Sequence, residues 1–403
     1  MVTEALPSIR SVSLGVWIDI GSRNERPEEN GLSHFIEHML FKGTRKRTAR
    51  ELASALESLG GSLNGFTSRE QTCYHARFLD RHLDTAIDVL SDLTCNSTLT
   101  SVHVNREKQV VLEEIKESLD NPSDRIHDVF ARTYWGEHPL GQPIMGSPEN
   151  IRGLTREKVV GFLKRNYCAG SIVVAASGAI SHDKLVALVR KKFHFPSCQA
   201  APAERAGRSK LHQITIERTP QKQTHFCLGF GAPSYSSRDK MALLALSSYL
   251  GGGMSSVLFQ KIREDRGLAY SVYTFTDFYR DAGVFGAYLG TDKRHLRKAL
   301  ELILGELRRL KRERLPGLQL RQLKSQMQGH LILGMESTTS RMNRIALQEL
   351  MIGTYQSLGE MVKEIDDIRS SKLMELANEI FDETKAAAAV LGPVEARALR
   401  GLI

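Results

Sequence analysis

The stretch GLSHFIEHMLFKGT, residues 31–44, decides how the rest of the chain is read. Its pattern predicts a helix over 32–42 that stops at Gly43. His34 and His38 are four residues apart and share one helical face, so both imidazoles can reach a single ion. Glu37 follows His34 by three residues and lies close to that face. Its carboxylate can therefore stand beside a metal without being a ligand. The order HxxEH is the reverse of the better-known HExxH.

Two imidazoles do not complete a catalytic metal site, which needs a third protein ligand and one open position. The segment NREKQVVLEEIKESL, residues 105–119, offers it. It reads as a helix with Val110, Val111 and Ile115 buried. Glu107 and Glu114 are seven apart, two turns, and share a face. Glu114 is the expected third ligand, and Glu107 a carboxylate that orients the site from behind. Glu113 competes locally, but it points about 100° away from Glu114 on a helix. Two histidines and a glutamate at this spacing also arise by chance. Here the motif follows a strand and is accompanied by a helix with spaced glutamates. A His2Glu donor set favours zinc.

Outward from the motif, the chain reads as two halves with the same element order. RSVSLGVWIDI (10–20) alternates apolar and polar residues as a strand does. Thr48 and Glu51 form a capping box for a helix that Gly60–Gly61 end. The strands SLNGFTS and QTCYHARFL follow, then helices from about 80 to 167, the strand SIVVAASGAI (171–180) and a closing helix. The second half repeats this with strand 223–231, helix 238–250, the glycines 251–253 and a helix to about 265. Strands AYSVYTFTD and AGVFGAYLG, helices from 292 and the strand AAAAVL complete it. The segment PSCQAAPAERAGRSK, within 196–212, has no useful period and reads as a linker. The expected division is a catalytic metal-binding half at 1–195, the linker, and a related half without metal at 213–403. The fold class is α+β: two similar halves, each a mainly antiparallel sheet covered by helices.

The 403 residues exceed what one core usually supports, in keeping with two domains. The net charge of +9 is modest for this length, and the run GELRRLKRER (305–314) reads as a solvated helix face. No zinc-finger spacing or aromatic-interleaved basic motif argues for nucleic acid. No apolar stretch is long enough for a membrane span, and MVTEALPSIRSVS lacks the pattern of a secretory signal. A soluble cytoplasmic protein is expected. The five cysteines are odd in number with no CxxC, which fits reduced, mostly buried thiols.

With these residues assembled, the sequence resembles the pitrilysin-type (inverted zincin) metallopeptidases. It is most similar to the bacterial group that looks like the mitochondrial processing peptidase. GLSHFIEHMLFKGT, GGSLNGFTSREQTCYHA, REKQVVLEEI, HPLGQPIMGSPENI, REDRGLAYSVYTFT and ESTTSRMNRIALQELMIGTY carry the resemblance over nearly the whole chain. It implies two α+β halves enclosing a cavity, with zinc on His34, His38 and Glu114 and Glu37 as general base. It further implies a peptide substrate added as a strand along SLNGFT, on the backbone of Asn64, Gly65 and Phe66. Arg263 and Tyr270 match the second-half residues that contact substrate, with Tyr270 also able to hydrogen-bond a developing oxyanion. The function implied is a zinc endopeptidase of unstructured or presequence-like peptides. Pairing as a homodimer, or as a heterodimer with a related subunit, is implied as well. The rival reading is a catalytically silent assembly or binding subunit of the same fold, although such relatives usually have eroded ligands. One departure stands out. Family members begin with an extra strand before the segment matching RSVSLGVW, whereas this sequence starts almost inside that region, so either its start is assigned late or the sheet is expected to lack that edge strand.

Overall fold

The alternating segment at the start of the chain becomes strand β2 (Ser11–Ile18), with Val12, Leu14, Val16 and Ile18 fully buried on one face. The computed structural model describes residues 1–198, 203–206, 213–220, 222–395, 399 and 401. Among these the chain forms two compact units.

The first unit holds a five-stranded sheet in the order β1-β5-β2-β4-β3. Its strands are β1 (Val2–Ala5), β2, β3 (Ser62–Thr67), β4 (Thr72–Leu79) and β5 (Ile172–Gly178). All neighbours are antiparallel except β1 with β5. The edge strand expected to be missing is therefore present. Val2–Ala5 fills the position, and Glu4 accepts hydrogen bonds there from Arg341 at 2.5 Å and Arg344 at 3.0 Å. At the opposite edge, among the described residues, β3 pairs with β4 alone, in a hairpin closed by the Ser68 and Gln71 backbones.

The second unit repeats the plan in the order β6-β10-β7-β9-β8. The strands are β6 (Gln213–Glu217), β7 (Gln223–Ala232), β8 (Ala269–Phe278), β9 (Gly283–Asp292) and β10 (Ala387–Leu391). Strand β6, unmarked in the sequence reading, is the counterpart of β1 and also pairs in parallel.

The units do not coincide with the sequence halves. Residues 118–141 belong to the second unit and 334–355 to the first. The helix Thr338–Met351 covers β1, β2 and β5, burying Met342, Ile345, Ala346 and Leu350 against Trp17, Cys73 and Ala175. In the second unit, the helix Pro122–Trp135 covers β6, β7 and β10 in the same way. The sequence makes room for both. A Cβ at Gly15 of β2 would meet Met342 Sδ at 3.0 Å, and one at Gly229 of β7 would meet the Phe130 ring at 2.2 Å. Each exchanged helix is also tied to its edge strand by charge, through Glu4 in one unit and an Arg125–Glu217 pair at 2.6 Å in the other. Periodicity marks these helices but not which sheet each covers. The expected linker 196–212 has no helix or strand over 196–198 and 203–206, and its remainder lies outside the described residues.

Helix α1 (Leu32–Leu40) packs Phe35, Ile36, Met39 and Leu40 into the first core, leaving His34, Glu37 and His38 half-buried on the other side. Helix α2 (Ala49–Glu57) starts on the expected Thr48–Glu51 capping box. Helix α3 (Leu83–Asn96) lines the core, and helix α4 (Ser101–Asp120) buries Val104, Glu107, Val111 and Ile115, a helical stripe. Val110, expected inside, is 41% exposed because the stripe turns away from it. The helix expected to run to about 265 contains a π-type turn at Phe259–Glu264. Among the described residues no helix is long and apolar enough to cross a membrane. The thiols are not all reduced: Cys168 and Cys198 form a disulfide, while Cys73, Cys95 and Cys227 are free.

Candidate metal centre

Helix α1 is fixed at its start by a residue that the sequence reading passed over. Gly31 takes φ +101°, and a Cβ there would stand 2.7 Å from the Met145 carbonyl oxygen, so only glycine fits. The Glu25 carboxylate, 4% exposed, accepts hydrogen bonds from the Gly31 and Ser33 backbone N–H groups at 2.8 and 2.5 Å. The Asn30 side chain donates a third at 3.2 Å. These are the amides that a helix start leaves unpaired. Burial pushes the Glu25 carboxyl up to about 7, against the pull of those donors. A carboxylate shortly before a helix start was the available signal.

From α1 and α4 three side chains converge. Ligand atoms of His34, His38 and Glu114 all lie within 4.8 Å of one another. His38 Nε2 is 3.5 Å from Glu114 Oε2, and the two imidazole centroids are 4.6 Å apart. Donors about 2.1 Å from a tetrahedral zinc stand about 3.4 Å from each other, so the set fits such an ion. His34 Nδ1 is buried with no hydrogen-bond partner among the described residues, a polar atom left unsatisfied there. Glu113 is exposed and pairs with Lys116, so it takes no part.

Glu107 stands behind the cluster, 2% exposed. One oxygen lies 2.9 Å from His38 Nδ1 and the other 2.9 Å from Lys42 Nζ. A proton on Nδ1 donated to this carboxylate leaves Nε2 as the free donor atom toward Glu114. Burial would raise the Glu107 carboxyl, but His38 and Lys42 hold it below its ordinary value. Burial pushes His34 down to about 4, with His38 adding to the effect, so His34 is a neutral imidazole near neutral pH. Burial also works to lower His38, but Glu107, Glu114 and Glu37 outweigh it and raise the imidazole.

Glu37 lies beside the cluster. The Thr67 hydroxyl donates to its Oε2 at 2.7 Å, and burial raises its pKa against that bond. Thr67 ends β3, and Gly65 of the same strand lies against α1. A Cβ at Gly65 would meet Glu37 Cγ and Phe41 at 3.2 Å. The unpaired edge of β3, with Asn64, Gly65 and Phe66, therefore runs beside the base candidate. Phe66 stacks edge-on against Trp17 at 5.4 Å. In the second unit, Arg263 lies on the π-type turn with its guanidinium 4.9 Å from the Tyr270 ring centre, and Tyr270 is 76% exposed.

Residues 1–148 match the family described as Insulinase (Peptidase family M16), and 153–327 match the Peptidase M16 inactive domain. An uncharacterized zinc protease of Bacillus subtilis is 39% identical over 97% of this chain and 95% of its own length. The chain belongs to peptidase family M16. Another relative in the family, an uncharacterized zinc protease of Streptomyces coelicolor, is 37% identical over 98% of this chain and 88% of its own. The M16 fold is shared with a protease from Helicobacter pylori at TM-score 0.90 and 23% identity, covering 96% of each chain. A chain of Complex III2 from Candida albicans has the fold at TM-score 0.84 and 18% identity, over 100% of this chain and 94% of its own.

Proposed function

We propose that this M16 chain is a zinc-dependent endopeptidase, with His34, His38 and Glu114 holding zinc and Glu37 as general base. The observation that carries the reading is the convergence of those three donors beside a Glu37 carboxylate steadied on one oxygen by Thr67. Zinc in such a site supplies Lewis acidity toward a scissile carbonyl and makes water more acidic. Glu37, with one oxygen tied to Thr67, uses the other to take a proton from the attacking water and passes it to the leaving amine. Glu107 acts through His38 by fixing its tautomer and ring plane.

The substrate is an unstructured or presequence-like peptide that adds as a strand along β3, on the backbone of Asn64, Gly65 and Phe66. Gly65 lets β3 itself pack close against Glu37 and Phe41 of the α1 segment, which brings that edge beside the base. Arg263 and Tyr270 are assigned to substrate contact, with the exposed Tyr270 hydroxyl as a donor. A cytoplasmic location and a homodimer or heterodimer belong to the same reading. The Cys168–Cys198 disulfide is the feature that pulls against the location. The silent-subunit alternative gains nothing from a site with all four positions intact. Incubation with unstructured polypeptides and with a stably folded protein, followed by mass spectrometry, tests the function. Internal cleavage of the former alone is expected, and intact peptides at full zinc loading would overturn it.

A further inference from the structure

Immediately after α1 the chain makes a tight turn, KGTRKRTAR, that lines an open cavity of about 520 Å³ in the first unit. Five of its lining residues are cations: Lys42, Arg45, Lys46, Arg47 and Arg50. The one acidic lining residue, Glu51, is spent on the α2 start, where it accepts from the Thr48 backbone N–H at 2.7 Å and hydroxyl at 2.8 Å.

The cations divide by role. Arg47 donates to Asp92 at 2.8 Å and to Asp88 at 2.5 Å, and Lys42 is paired to buried Glu107. These two fix the floor. The turn between them is tied down by Thr44 Oγ1, which accepts from the Lys46 and Arg47 backbones and donates to buried Asp92 at 2.6 Å. Arg45, Lys46 and Arg50 are exposed and make no ion pair among the described residues. A concave surface with three cations outside any ion pair concentrates anions.

The cavity is linked to the metal centre through one of its lining residues. Its Lys42 reaches Glu107, and Glu107 reaches His38, each at 2.9 Å. Neither Phe, Tyr nor Trp lines it, so it offers no platform for stacking bases.

We propose that this groove is a substrate subsite for acidic side chains, making the protein selective for peptides with Asp or Glu a few residues from the cleaved bond. The inference rests on the endopeptidase reading and narrows its substrates to acidic unstructured peptides, in place of presequence-like ones, which are basic. The test uses peptide pairs built around whichever bond the wild type cleaves, identical except for Asp and Glu against Asn and Gln outward of that bond. The zinc-loaded protein should cleave the acidic member with a KM about tenfold lower at low salt, and the advantage should shrink in high salt. Charge reversal at Arg45→Glu, Lys46→Glu and Arg50→Glu together should abolish or invert the acidic-to-neutral ratio of kcat/KM. Damage to the fold would lower both rates and leave the ratio intact. Equal KM for acidic and neutral peptides in the wild type would overturn the subsite while leaving the peptidase reading standing.

If no peptide is cleaved, the peptidase reading fails, and fluorescence anisotropy with a labelled acidic peptide decides the groove separately. Tighter binding to wild type than to the triple variant supports it, and equal binding overturns it. A labelled DNA duplex that binds the wild type and not the variant, with no such difference for the acidic peptide, would reassign the groove to nucleic acid.

Discussion

Glu107→Ala removes a carboxylate that is 2% exposed and has both oxygens engaged, one by His38 Nδ1 and one by Lys42. In the wild type, the Nδ1 bond holds the His38 ring so that Nε2 faces Glu114. Without it the ring is free to take the other tautomer or to rotate, and each costs ordering when metal binds. Loss of a carboxylate behind a ligating histidine weakens metal affinity about 10–100-fold, or about 1.4–2.7 kcal/mol. Lys42 is half-buried and can turn to water, so its lost partner adds little. Glu107→Gln keeps an oxygen for Nδ1 and should fall at the lower end of that range. The assay is zinc competition against a fluorescent chelator at fixed pH, with thermal unfolding in excess EDTA to show that the apo fold persists. An apo fold as stable as wild type, with zinc affinity unchanged within twofold, would refute the orienting role of Glu107.

Glu25→Gln places an amide donor against backbone N–H groups that already point at the carboxylate, and should destabilise the protein by about 1–3 kcal/mol in urea unfolding. Because the folded Glu25 carboxyl is raised to about 7, its contribution is fully present below about pH 4.3 and is lost as pH rises through 7. The Gln variant should lack that slope, and an unchanged slope would count against the assignment. Asp88 has the opposite sign. Hydrogen bonding from Lys192 leads in holding it at about 2, with Arg47 assisting against burial, so its contribution is present above about pH 4 and lost as pH falls toward 2. Asp88→Asn should flatten that acid limb. Gly229→Ala drives a methyl group into the Phe130 ring of the exchanged helix and should cost about 1–3 kcal/mol, read as a lowered urea midpoint.

The convergence of His34, His38 and Glu114 was legible because helical spacing is a local property. His34, Glu37 and His38 lie within one turn, and the seven-residue step from Glu107 to Glu114 already implied a common face. Most of the strand and helix order was legible for the same reason, with β1 and β6 the exceptions. Contacts set by distant parts of the chain were hidden. No period in Thr338–Met351 says that Met342 will meet Gly15, and no motif joins Cys168 to Cys198. Strand β1 was missed because Val2–Ala5 is short and only half-buried, and its place is set by pairing to residues 175–178. Thr67 and Glu25 escaped notice because each acts through one hydrogen-bonding direction that sequence does not encode.

The central claim is that His34, His38 and Glu114 hold a catalytic zinc for which Glu37 is the base. Zinc content and peptide hydrolysis, measured together on wild type and Glu37→Gln purified without chelator, test it most directly. The account predicts about one zinc per chain in both proteins, as a three-residue site requires, and hydrolysis in the wild type alone. Full hydrolysis by Glu37→Gln, or a wild type that binds no zinc when it is supplied, would contradict it.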